Sequence, residues 1–121
     1  MTARTGANAM DQITARTFDE PDESIPYDHD HGQIDIVQIG DGGAMRSVMK
    51  PGWSWDEDVK PYTDGWTVCE DHHWEVVLSG RMRYLMPDGT ETVVGPGTFL
   101  EIPPGHRAWV EGDEYCVTID W

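Results

Sequence analysis

The chain has 121 residues, 38% of them apolar, which is room for one modest core and one domain. Its formal charge of -15, with only 8 lysines and arginines, excludes nucleic acid and anionic membrane surfaces as partners. Two cysteines cannot make a disulfide framework, and no segment approaches the ~20 apolar residues of a membrane span. Nothing in residues 1–16 has the apolar stretch of a signal peptide, so a cytoplasmic location with reduced thiols is expected.

In chain order, residues 1–24 form a polar lead-in, expected to be a flexible arm or a strand added to a neighbour's sheet. The folded domain is expected over 25–121. Asp28, His29, Asp30 and His31 alternate in a metal-capable way, but their setting is proline-flanked and lacks apolar support. They read as a solvated loop or an adventitious site. Ile34, Ile36 and Ile39 predict a strand that stops at Gly40, and residues 44–49 predict a second, ended by Pro51-Gly52. Residues 53–65 mix aromatics with acids and predict an irregular loop.

Residues 66–78 predict one long strand or two short ones, followed by a tight turn at Ser79-Gly80. Residues 81–86 pair back, and Pro87-Asp88-Gly89 closes the next hairpin. Residues 92–94, 98–102, 107–111 and 115–119 complete the strands, separated by glycine- and proline-rich turns. No amphipathic helix of useful length appears. Eight or more short strands at this spacing predict an all-β sandwich or barrel.

Two places resemble the cupin family. His73-Trp74-Glu75-Val76-Val77-Leu78-Ser79-Gly80 is similar to the end of the first cupin motif, a strand reaching a turn glycine. The run from Gly95 through Pro103-Pro104-Gly105-His106 is similar to the second motif. The two motifs and the hairpin between them span about half of the chain. The resemblance implies a cupin-type double-stranded β-helix, a jelly-roll barrel, with His106 at the place of the family's metal histidine. It also makes a homodimer the default assembly. The first motif departs from the family: its usual pair of histidines is missing. His73 stands at the position of the acid, and Cys69 is the metal-capable residue near the positions of the pair.

A strand sends alternate side chains to one face, so Cys69, Asp71, His73 and Glu75 share a face if that strand is regular. His73, His106 and Glu75, with Cys69 as a fourth ligand, are therefore expected to hold a divalent ion. Their donor set admits Zn, Fe or Mn, and a thiolate tilts the choice toward zinc. Hydrophobicity alone points the other way. His72, Trp74, Val76 and Leu78 are the more apolar set, and turning them inward would put His72 in the pocket. The motif register, anchored on Gly80, favours His73. Cys69 reads equally well as a small buried hydrophobe, His106 as a turn histidine, and Glu75 as a solvated carboxylate. Without a metal, a buried Glu75 becomes a candidate general base.

Trp53, Trp55 and Trp109 belong to the core or to a pocket mouth, and an inward arginine among Arg46, Arg81, Arg83 and Arg107 would imply a carboxylate-bearing ligand. Two functions fit these residues. One is a metal-dependent enzyme of isomerase, lyase or dioxygenase type acting on a small organic substrate. The other is a metal-free barrel that binds or senses a small ligand.

Overall fold

A computed structural model describes residues 12–121. Among these residues nine strands form two antiparallel sheets. The strands are β1 (Glu23–Pro26), β2 (Gly32–Ile39), β3 (Gly42–Met49), β4 (His73–Ser79), β5 (Arg81–Leu85), β6 (Glu91–Val94), β7 (Phe99–Ile102), β8 (Arg107–Glu111) and β9 (Cys116–Asp120). The larger sheet has the order β1-β2-β3-β9-β4-β7, and the smaller one β6-β5-β8. The protein is an all-β jelly roll with a cupin-like fold. No helix among the described residues is long and apolar enough to cross a membrane.

The expected arm, residues 1–24, does not end where the sheet begins: its boundary falls inside β1, whose Glu23 pairs with Ile36. Residues 1–11 of that arm lie outside the described residues. Arg16 holds the segment before β1 against the sheet by donating to Asp22 and to the carbonyl of Gln38. Arg46 lies over the Phe18 ring, 5.6 Å from its centroid, and pairs with the buried Asp35.

The expected irregular loop after Pro51 contains a single helical turn, α1 (Trp55–Asp58), and a 3-10 turn at Lys60–Tyr62. Ser54 starts α1 because its hydroxyl accepts from the Glu57 N–H, satisfying one of the free donors of the first turn. The strand expected from residue 66 starts only at His73. The preceding segment is irregular, yet Cys69 is tied to the barrel by a backbone bridge. Its N–H donates to the His106 carbonyl at 2.9 Å, and its own carbonyl accepts from Gly105 at 2.7 Å.

The core lies between the sheets, around Val77, Met82, Tyr84, Ile102, Ala108, Val110 and Cys116. Val77 and Cys116 are fully buried and Met82 nearly so. Burying a side chain such as Val77 or Met82 contributes roughly 1.5–3 kcal/mol. Trp53 and Trp55 close one end of this core. At the β4–β5 turn, Gly80 has φ +70°, and a Cβ there would stand 2.2 Å from the Tyr115 carbonyl oxygen. The close approach of β9 to that turn therefore demands glycine.

Candidate metal centre

Strand β4 positions the first imidazole. Its inner face carries His73, Glu75 and Val77, while Trp74 and Leu78 stand exposed on the outer face. The structure thus chooses His73 over His72, against the hydrophobic pattern. His72 lies outside, its Nε2 2.7 Å from Glu101 Oε2. The outer apolar side chains find aromatic neighbours instead of a core. Trp74 stacks on Phe99 and Phe99 on Trp121, each pair with centroids 5.8 Å apart.

His73, His106 and Cys69 converge. Their donor atoms all lie within 4.8 Å of one another, and the two rings meet edge to face with centroids 5.2 Å apart. Each imidazole is oriented by a hydrogen bond at its far nitrogen. His73 Nδ1 sits 3.2 Å from Asp120 Oδ2, and His106 Nδ1 sits 2.8 Å from the Pro103 carbonyl oxygen. Both partners are acceptors, so each Nδ1 carries the proton and each Nε2 is directed to the cluster. A carboxylate or carbonyl behind a ring is the arrangement that orients metal-binding histidines. Cys69 Sγ lies 3.7 Å from His73 Nε2.

The electrostatics follow from these contacts. Burial alone would push the Cys69 thiol up, but hydrogen bonds with His106 and His73 outweigh it and bring the thiol down to about 6. His73 is pushed up to about 10, first by its bond to Asp120 and then by Cys69. Without an ion the pair is therefore a thiolate beside an imidazolium.

Glu75, expected among the ligands, is not in this cluster. Two residues along a strand are ~7 Å apart, so it lies one step deeper than His73. There it accepts a 2.6 Å hydrogen bond from the Tyr84 hydroxyl of β5. Burial raises its pKa above the ordinary carboxylate value, and the Tyr84 bond offsets only part of that rise. The predicted four-residue set thus divides into a three-donor cluster and a separate buried acid.

An interior cavity of about 220 Å³ adjoins the cluster, lined among others by Cys69, His73, Glu75, Trp53, Trp55 and Tyr84. An open groove of about 460 Å³ beside the β2–β3 turn shares Met45, Asp71, His73 and Asp120 with it, so these four residues form the rim. Trp53 and Trp55 are walls of the cavity; Trp109 is half-buried and does not line it. No arginine or lysine lines the cavity among the described residues. Arg46 is held by Asp35, Arg83 by Glu111 and Arg107 by Asp56.

The residues present fit a divalent ion. Two imidazoles and a thiolate are a nitrogen- and sulfur-rich donor set that leaves a coordination position for substrate. One oxygen on the rim, Asp120 Oδ1, is buried without a hydrogen-bond partner among the described residues, so a group entering here finds an acceptor. Sequence reasoning missed Asp120 and Tyr84. Asp120 stands at the end of the last strand and meets the centre only because β9 pairs with β4, placing it opposite Glu75.

The fold is that of a small cupin-like β-barrel. No family model and no curated protein matches the sequence. Solved structures do match. A domain of unknown function from Vibrio parahaemolyticus superposes with a TM-score of 0.58 at 9% identity, covering 81% of this chain and 94% of its own. A protein of unknown function from Acinetobacter superposes with a TM-score of 0.55 at 20% identity, covering 81% and 87%. A cupin domain from Bordetella pertussis aligns over 84% of this chain and 93% of its own, with a TM-score of 0.47 at 15% identity.

Proposed function

We propose that this chain is a small metal-dependent enzyme in which Cys69, His73 and His106 hold one divalent ion at the mouth of the barrel. The observation that carries the reading is the convergence of these three donors, with both imidazoles oriented from behind by Asp120 and the Pro103 carbonyl. Zinc, iron and manganese are the candidate ions, and the thiolate favours zinc. When bound, the ion supplies Lewis acidity for isomerisation or elimination, or oxygen activation if it is iron.

The chain's own residues define the rest. Asp120 keeps His73 in one tautomer and orientation. Trp53 and Trp55 give the cavity buried aromatic walls. Glu75, whose burial favours the protonated form, is the group placed to give or take a proton from a substrate inside. The cavity carries Asp71, Glu75 and Asp120, its one imidazolium, His73, is paired with Asp120 and the Cys69 thiolate, and no arginine or lysine lines it among the described residues, which supports a small neutral or cationic substrate over a carboxylic acid. The free thiols Cys69 and Cys116 suit a reducing, cytoplasmic setting. The stacked aromatic face of Trp74, Phe99 and Trp121 supports a homodimer.

A metal-free ligand-binding module is the second reading. It is favoured by the balance between the Cys69 thiolate and the His73 imidazolium, which neutralise each other without an ion. Elemental analysis of untagged protein separates the two. The enzyme reading expects Cys69→Ser and His106→Ala each to lower the metal content by about one equivalent per chain; metal content unchanged in both variants overturns it.

A further inference from the structure

The turn joining β1 to β2 holds a second convergence of imidazoles, far along the chain from the barrel cluster. His29 and Asp30 both adopt left-handed backbone angles, φ 59° and 56°, which few residues other than glycine hold. The result is a tight turn from which both His29 and His31 aim at one carboxylate. His31 Nδ1 lies 2.8 Å and 3.0 Å from the two oxygens of Asp58, at the end of α1. His29 Nδ1 lies 3.7 Å from Asp58 Oδ1. The donor atoms of all three residues fall within 4.8 Å of one another.

The Asp58 side chain has 0% exposure and also accepts from the Ser54 N–H at 3.0 Å. A buried carboxylate needs a counter-charge or hydrogen bonds, and His31 with Ser54 would suffice for that. They leave the second imidazole unexplained: His29 turns its Nδ1 to the same carboxylate from a backbone conformation that works against it. The surroundings are anionic. Asp28 and Asp30 flank His29, and Lys50, the nearby cation, is paired with Asp30 at 3.1 Å. Gly52 has no side chain to crowd the His31 ring: a Cβ there would stand 3.2 Å from His31 Nε2.

We propose that His29, His31 and Asp58 form a second divalent-metal site, selective for nitrogen-preferring transition ions of the zinc class over calcium and magnesium. Two imidazole nitrogens and one carboxylate oxygen suit zinc, whereas calcium and magnesium take oxygen ligands. His29 is 62% exposed, so the remaining positions face solvent and are filled by water. The ion clips the β1–β2 turn to α1, whose Trp55 forms part of the cavity wall. The solvated loop expected of residues 28–31 is thus, at His31, a buttress against a buried acid. The site is independent of the barrel centre and does not rest on the function proposed for it.

Cobalt(II) titration of the untagged, metal-stripped full chain tests the proposal, because thiolate ligation gives a near-ultraviolet charge-transfer band and this site has no thiolate. A cobalt equivalent without that band is expected, displaced by zinc and not by excess calcium or magnesium. His29→Ala is expected to weaken that equivalent at least 10-fold while leaving the metal-free melting temperature unchanged, since the His29 ring is largely exposed. Cys69→Ser is expected to remove the thiolate band and retain this equivalent, which separates failure here from failure at the barrel. Absence of a thiolate-free equivalent, its retention at equal affinity in His29→Ala, or its displacement by calcium or magnesium overturns the site.

Discussion

Cys69 and Glu75 both line the cavity, yet their surroundings push them in opposite directions. Cys69 exchanges hydrogen bonds with two imidazoles, and these overcome the cost of burying a thiolate. Cys116 is fully buried and near Glu75, with no imidazole bonded to it among the described residues, and burial sends its thiol up to about 12. Metal-free protein is therefore expected to show one thiolate ionising near pH 6 in its ultraviolet absorbance. That transition disappears in Cys69→Ser and moves to higher pH in His73→Ala, which loses the Nε2–H beside the thiolate; an unchanged inflection in His73→Ala would contradict the assigned cause.

Glu75 has no cation to favour its charge beyond the neighbouring His73, and burial dominates. Its folded-state pKa lies above the unfolded value of 4.5, so the native state binds this proton more tightly than the unfolded chain. Stability tied to that proton is present below the unfolded pKa and is lost as pH rises through the folded one. Glu75→Gln keeps an oxygen for the Tyr84 hydroxyl and removes the buried charge. Thermal unfolding of metal-free protein is expected to show the variant more stable at pH 8, by on the order of 1 kcal/mol. The two proteins converge near pH 4, where the wild-type acid is protonated; an advantage that persists there would refute this account.

Strand β4 is the element on which the site was legible in part. The His73-to-Gly80 run and the second motif place one histidine in each half of the barrel, and the register counted back from Gly80 gives the inward residue correctly. Hydrophobic alternation gives the opposite answer, because Trp74 and Leu78 are apolar and exposed. The pattern over residues 66–78 suits one long strand or two short ones, and only His73–Ser79 is a strand. Cys69 joins the cluster through its backbone bridge to His106, a contact across 37 positions of sequence rather than a strand periodicity. The same element carries the clearest backbone requirement. Gly80→Ala meets the Tyr115 carbonyl as well as a left-handed φ, and is expected to cost at least ~2 kcal/mol in a urea unfolding curve. Gly89→Ala has the same backbone conformation (φ +87°) and open space around it, and should cost only ~1 kcal/mol. Equal costs would show that the approach of β9 is not what holds Gly80.

At the scale of the whole molecule, a charge of -15 and an exposed aromatic face act against each other. Trp74, Phe99 and Trp121 are 41%, 59% and 61% exposed and stack in a continuous row. A row of this kind favours self-association, while like charge opposes it until salt screens the repulsion. Light scattering is expected to find a dimer whose dissociation constant falls as ionic strength rises. Phe99→Asp should be monomeric with an unchanged circular dichroism spectrum, since that ring is exposed in the single chain. A wild-type monomer at all concentrations and salt levels would remove the dimer.

Composition and turn residues by themselves determined an all-β sandwich or barrel, because short strands and the turns between them are written in local spacing, and the two motif runs narrowed it to a jelly roll and favoured His73 over His72. The tertiary structure alone decided the rest. It set Glu75 apart with Tyr84, brought Asp120 behind His73, anchored Cys69 beside His106, and turned His29 and His31 onto Asp58. Each of those contacts joins residues that are distant in sequence, and sheet pairing or loop closure, not periodicity, selects which of them meet.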